Sequence, residues 1–269
     1  MNIQNNELEE EFNPTFTGGR QERAWIRSAL AGFYEDRWFT DVLYRVKGGK
    51  EATVYCCRGH PVSEVDLIAA KVFRPRMFRA MKNDTLYKSE RTFLRADGKT
   101  VLDRRRLLAL QKGSAYGKRL DAASWCRHEF NALTELYEAG ADVPKPLAYA
   151  PNAILMEFVG DDVQAAPILQ SIRLEQEEAE TLFERLVENI EILLSRYVVH
   201  GDLSAYNVLY QDGDAWIIDL PQTIDALQHP RGFELFARDV DRLGRYFVKQ
   251  GVEVDAMGLA LELWQRWIE

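Results

Sequence analysis

His200-Gly201-Asp202-Leu203-Ser204-Ala205-Tyr206-Asn207 is the stretch on which the reading of this sequence turns. An apolar run, Tyr197-Val198-Val199, leads into it. Downstream, Val208-Leu209-Tyr210 and Ala215-Trp216-Ile217-Ile218 flank Gln211-Asp212-Gly213-Asp214, a pattern that predicts a hairpin. Asn207 opens that hairpin and Asp219 closes it, so folding brings the two close together. An amide oxygen and a carboxylate are hard oxygen donors, suited to Mg²⁺ held with substrate phosphates. Asp202, five residues before Asn207, can face the same centre and position or deprotonate an attacking hydroxyl. Asp and Asn are also common turn residues, so neither would carry this reading alone. The whole string, with Asp219 at the end of an apolar strand, favours a phosphotransfer centre.

A second signal lies upstream. Lys71 interrupts the apolar run Leu67–Phe73, and a buried ammonium is costly unless paired. Glu129, on a predicted helix with Trp125 and Phe130, is the candidate partner. The bland alternative is an edge strand whose lysine reaches water. Gly48-Gly49-Lys50-Glu51-Ala52 reads as a glycine hairpin that can cover phosphates through backbone N–H groups, or as a plain turn. It lacks the G-x₄-G-K-[ST] spacing of a Walker A loop.

Working outward, the pattern divides the chain. Residues 1–20 read as a disordered or loosely docked arm and residues 21–33 as a helix. Alternating residues around Val42–Val46 and Ala52–Cys56, with Leu67–Phe73, predict three antiparallel strands. Residues 74–118 are rich in Lys and Arg and read as a solvated insertion, with a basic helix at Thr100–Gln111. A helix is predicted from Ala122 to Ala139, stopped by Gly140. Pro144 and Pro146 introduce a buried strand, Ala153 to Val159. Leu174–Arg196 is a long amphipathic helix, and Phe233–Glu269 two more. The expected division is an arm and helix over 1–40, a strand-rich lobe over 41–159 and a helical lobe over 160–269. A cleft between the lobes is the natural ligand site.

Composition narrows the classes. The chain has 269 residues, enough for two lobes around a cleft. Its net charge of −8 argues against a general nucleic-acid or membrane-surface binder. No stretch approaches 18 uncharged apolar residues, so no membrane span is expected. Met1 to Phe12 is polar and acidic, without the pattern of a secretory leader. Three cysteines suit a reducing cytosol, and the location expected is cytoplasmic. Cys56 and Cys57 near His60 raise a metal site, but adjacent cysteines lack zinc spacing, which favours buried thiols on a strand.

Taken together, these motifs resemble the RIO family of atypical serine/threonine protein kinases, nearest the RIO1-type group. The matching stretches are Gly49–Tyr55, Ala70-Lys71-Val72, Glu129–Leu133, Met156–Gly160, His200–Asn207, Ile218-Asp219-Leu220-Pro221-Gln222 with His229-Pro230, and Arg238-Asp239-Val240-Asp241. The resemblance implies an α+β, protein-kinase-like two-lobed fold with an antiparallel-sheet N-lobe and a reduced, mostly helical C-lobe. It implies ATP and Mg²⁺ as cofactors, with Mn²⁺ as a substitute. The glycine hairpin with Gly49 and Lys50, and Val54, would line the nucleotide site. Lys71 would bind ATP phosphates, paired with Glu129, and Met156, Glu157 and Phe158 would form the hinge meeting adenine. Asp202 would be the catalytic aspartate, and Asn207 and Asp219 the metal ligands. Asp219 would also accept the phosphoryl group, giving an aspartyl-phosphate and ATPase-like turnover. The acceptor would be a protein or the enzyme itself, and family members assist maturation of the small ribosomal subunit precursor.

Departures from ordinary protein kinases include His-Gly-Asp in place of His-Arg-Asp and Asp-Leu-Pro in place of Asp-Phe-Gly. Ser204 stands at a lysine position, and no Ala-Pro-Glu follows. Two other classes share part of the pattern. A small-molecule kinase of the aminoglycoside or choline type also uses His-Gly-Asp with Asn five residues on, but the region between Val159 and Val198 is short for its substrate subdomain. A nucleotide-binding, non-catalytic factor would retain the cleft without transfer.

Overall fold

The computed structural model describes residues 12–49, 52–73 and 115–269, with side chains of the last stretch described from Ala123 onward. Three consecutive strands begin the sheet: β1 (Phe39–Gly48), β2 (Ala52–Gly59) and β3 (Leu67–Phe73). They pair antiparallel, with Val54 opposite Lys71. Strands β4 (Pro146–Ala150) and β5 (Ala153–Glu157) complete a five-stranded sheet of order β1-β2-β3-β5-β4. Pro146, expected only to introduce a strand, itself begins the edge strand β4. An edge position tolerates proline because no outer partner needs its missing N–H.

Alternation sorts the sheet residues onto two faces. Ile68, Ala70 and Val72 join one buried cluster with Ile26, Leu30 and Phe33 of α1 (Arg20–Glu35). Ala69 and Cys56 face the other way, with Val54, Met156 and Phe158, and form an apolar roof over the cleft. Cys56 and Cys57 are therefore buried thiols on β2, while His60 Nδ1 accepts the Val62 N–H at a short turn. The described part of the arm, residues 12–19, departs from the loose docking expected. Phe12 is buried and stacks on Tyr34, and the Phe16 N–H donates to Val42 O at 3.2 Å. Two aromatic rings anchor a segment otherwise poor in apolar residues, together with the Thr15 N–H donating to Asp41 Oδ1 at 2.9 Å and Arg23 Nη2 donating to Asn13 Oδ1 at 3.0 Å.

The second unit is mostly helical. Helix α2 (Ala115–Glu138) begins seven residues before the expected Ala122. Its charged first turns carry no apolar stripe to betray them. Residues 74–114, which hold most of the basic segment and the expected Thr100–Gln111 helix, lie outside the described residues. Helix α3 (Gln176–Ser195) buries Leu182, Leu186, Ile190 and Leu193 on one stripe and opens with Glu177 and Glu178, which favour its N-terminal dipole. Strands β6 (Val198–Val199) and β9 (Ile224–Asp225) pair, as do β7 (Val208–Gln211) and β8 (Asp214–Ile217). The β7–β8 turn has φ 53° at Asp212 and 91° at Gly213, the two positive values of a type I′ hairpin. Helices α4 (Gly232–Val248) and α5 (Ala256–Trp267) close the core around Leu243, Phe247, Ala260 and Leu263. Among the described residues, no helix is long and apolar enough to cross a membrane.

Candidate active site

Lys71 sits where the two units meet. Its Nζ lies 2.5 Å from Glu129 Oε1 on α2 and 2.7 Å from Asp219 Oδ1 after β8. Burial alone would lower the Lys71 pKa, but Asp219 and Glu129 more than offset it and hold the ammonium above its ordinary value. Burial pushes the Glu129 carboxyl up, although the lysine pulls the other way. Asp219 is held below the usual carboxylate range, chiefly by the Lys71 charge against the opposing effect of burial. The Asp219 side chain keeps 48% of its exposure, against 11% for Lys71. The lysine is thus a fixed buried cation, and Asp219 offers a charged carboxylate to the cleft.

The loop carrying Asp202 is pinned from three sides. The Ile218 N–H donates to Asn207 O at 2.9 Å, which ties the loop's end to the strand before Asp219. Asn207 Nδ2 donates to Asp202 O at 2.9 Å, so its nitrogen is committed and its oxygen is the acceptor left to serve the site. His200 Nε2 donates to Ile218 O at 3.1 Å, while its Nδ1 accepts the Asp202 N–H at 3.2 Å. A carbonyl can only accept, so the ring carries its proton on Nε2. Asp219 itself has φ 69°, a left-handed value that Asp tolerates. That turn follows a chain otherwise running as strand and accompanies the contact with Lys71.

Helix α4 supplies residues to which the sequence reading gave no role. Gly201 N–H donates to Asp239 Oδ2 at 2.7 Å, and Arg238 Nη2 donates to Gly201 O. Asp239 is buried, which pushes its carboxyl up against the pull of Arg238 and the Gly201 N–H. Arg242 Nη1 reaches Asp202 Oδ1 at 2.8 Å, both side chains being 42% exposed. The signal available was the segment Arg238–Asp241, but a helix that begins 25 residues beyond Asn207 could not be placed under the loop by spacing.

The nucleotide-side expectations divide. Val54 and Met156 pack in the apolar roof, with Phe158 buried there. Glu157 N–H donates to Lys145 O at 2.8 Å and Phe158 N–H to Leu67 O at 3.2 Å. Those two N–H groups serve the fold, so neither is left for the adenine contact expected of Met156–Phe158. Gly49 N–H closes its turn on Ala52 O at 2.9 Å, and Lys50 lies outside the described residues.

A family model described as the RIO domain matches residues 76–259. The chain belongs to the RIO family. The match takes in Glu129, the His200–Asn207 loop and Asp219; Lys71 and the glycine hairpin precede it. The chain is 31% identical over 214 residues to the RIO-type serine/threonine-protein kinase Rio1 of Haloferax volcanii, covering 80% of this chain and 66% of that one. It is 29% identical over 210 residues to the serine/threonine-protein kinase RIO1 of Caenorhabditis elegans, covering 78% of this chain and 37% of that one. The chain therefore spans less than two thirds of the length of either relative. Among solved structures, the Rio2 kinase of Chaetomium thermophilum, in an ADP/Mg²⁺-phosphoaspartate complex, aligns with a TM-score of 0.59 at 19% identity, over 89% of this chain and 66% of that one. That likeness establishes the α+β kinase-like fold of this RIO protein.

Proposed function

We propose that this RIO protein is an ATP-dependent serine/threonine phosphotransferase working with Mg²⁺. The observation that carries the proposal is Lys71, held between Glu129 and Asp219 beneath an apolar roof and beside the pinned Asp202 loop. A fixed cation at that place suits the phosphates of ATP, and the roof suits its base. Asn207 Oδ1 and the Asp219 carboxylate, both hard oxygen donors from adjoining backbone, fit Mg²⁺. Bound there, the ion would neutralise phosphate charge. Asp202 orients the acceptor hydroxyl and takes its proton, while the His200 and Asn207 hydrogen bonds hold the loop.

Asp219 has a second role in this proposal. Its carboxylate oxygen attacks the γ-phosphorus, the bond from that phosphorus to the bridging oxygen breaks and ADP leaves. Water then hydrolyses the acyl phosphate to inorganic phosphate. Support comes from the exposed, charged Asp219 carboxylate and from the phosphoaspartate named for the Chaetomium relative. The same family resemblance supports a protein or self acceptor, action in the cytoplasm and small-ribosomal-subunit precursors as partners.

The test uses γ-labelled ATP. Asp202→Ala is expected to lower autophosphorylation at least about 100-fold. Wild-type rates in that variant would refute the assignment. An acyl phosphate at Asp219 should be released by hydroxylamine and be absent in Asp219→Asn.

A further inference from the structure

Helix α4 does more than hold the catalytic loop from below. Arg231, Arg238, Arg242, Arg245 and Lys249 recur at spacings of seven, four, three and four. At 3.6 residues per turn these fall along one edge of α4 and its two caps. Arg238 is turned onto Gly201 O, which leaves Arg231, Arg242, Arg245 and Lys249 toward solvent. Arg242 stands in the middle of that edge, on the Asp202 carboxylate, and Arg245 one turn further is 73% exposed. Residues 231–249 hold five basic and three acidic side chains, in a chain whose net charge is −8.

Through Arg242 this edge borders Asp202 directly. Only residues 220–231 separate Asp219 from α4, and Leu220, Pro221, Thr223 and Ala226 among them are buried. Asp225, Leu227, Gln228 and Pro230 of the same segment are exposed, but none of them pairs with Asp202, whereas Arg242 of α4 does.

We propose that the basic edge of α4 is the docking surface for the acceptor, and that it selects a serine or threonine flanked by acidic residues. The proposal rests on the phosphotransferase reading above and names its substrate class. Arg242 is paired with Asp202 Oδ1, Arg245 with Asp241 and Arg231 with Glu234. Carboxylates are thus the groups these guanidinium forks already hold, and acidic side chains of a peptide can take over the same geometry. Glu234 and Asp241 divide the edge into separate guanidinium forks, which suit discrete carboxylates better than a continuous phosphate backbone. An acidic peptide is therefore the better fit.

Three peptides sharing one central serine but carrying acidic, uncharged or basic flanks make the test. Binding is read by fluorescence anisotropy and transfer with labelled ATP. The acid-flanked peptide should bind about tenfold more tightly than the uncharged one, and lose that margin in high salt. Arg245→Glu should remove the preference by raising KM for the acid-flanked peptide. Equal binding of all flanks, an unchanged preference in Arg245→Glu, or tighter binding of a uridine-rich single-stranded RNA would overturn the proposal. If the acid-flanked peptide binds selectively but no peptide is phosphorylated, the docking surface stands and the protein-kinase reading fails.

Discussion

Two clusters in this protein are built to the same plan, a single cation between two carboxylates. Lys71 lies between Glu129 and Asp219. Arg185 lies between Asp142 and Asp214, its Nε 2.8 Å from Asp142 Oδ2 and its Nη1 2.5 Å from Asp214 Oδ1. In the second cluster Asn189 also donates to Asp142 Oδ2 at 2.7 Å and accepts the Asp142 N–H at 2.5 Å. That clamp ties α3 and the β7–β8 hairpin to the turn before β4. Both Asp142 oxygens accept from the Arg185 guanidinium, and the Arg185 side chain is 40% exposed. The Lys71 cluster is the reverse. Its lysine is buried, its Glu129 is held high by desolvation, and one carboxylate faces the cleft. A planar guanidinium closes a fork and finishes it, whereas an ammonium leaves a point charge with capacity for another anion. The clamp contributes to stability, and in the proposed function the lysine cluster holds charge for phosphate.

The sharpest way to break this contrast is to remove each cation in turn. Lys71→Met should reduce ATP turnover by about 100- to 1,000-fold, because a preorganised charge at the phosphates is lost. Its stability change should be smaller than a buried unpaired carboxylate suggests, since Glu129 can take up a proton. Arg185→Ala should do the opposite. Denaturant unfolding should show a loss of about 1–2 kcal/mol, discounted for the exposure of Arg185, with turnover changed less than about threefold. Equal turnover losses in the two variants would end the distinction.

Acid titration sharpens it further. Burial raises the Asp142 carboxyl, but hydrogen bonds from Arg185 and Asn189 lower it more, and the net direction is down. A carboxyl lowered on folding contributes stability above its unfolded value, near pH 4, and loses it as pH falls through the folded value. The cost of Arg185→Ala should therefore be full at pH 7 and shrink below about pH 4. Glu129 runs the other way: its raised carboxyl gains stability as pH falls. The smallest effect is from salt. Raising NaCl to about 1 M should weaken the exposed clamp by a few tenths of a kcal/mol and leave the buried lysine pair nearly unchanged.

The two clusters were unequally visible in the sequence. Lys71 stands out because it breaks an apolar run, and Asp202, Asn207 and Asp219 because a hairpin of evident turn chemistry brackets them. Arg185 sits on the half-exposed side of an amphipathic helix, where any charge looks solvated. Its partners are 43 and 29 residues away, so only the packed fold brings them together. The same holds for Asp239 and Arg242, placed by tertiary packing of α4. The docking of residues 12–19 escaped because two rings, Phe12 and Phe16, and the polar contacts of Asn13 and Thr15 do what usually takes a longer apolar pattern. The sheet itself was legible where strands alternate or run apolar. Strand β4 was hidden by the proline that starts it.

The left-handed backbone at Asp219 bears on how this sequence can drift. Few residue types accept φ 69° cheaply, and fewer still carry an oxygen donor on a short side chain. Were a descendant of this gene to lose activity while keeping its fold, position 219 should wander first to Asn or Gly. Ala, Ser or a β-branched residue there would burden the folded chain as well as disarm it. The catalytic history of a relative can thus be read in part from one torsion angle.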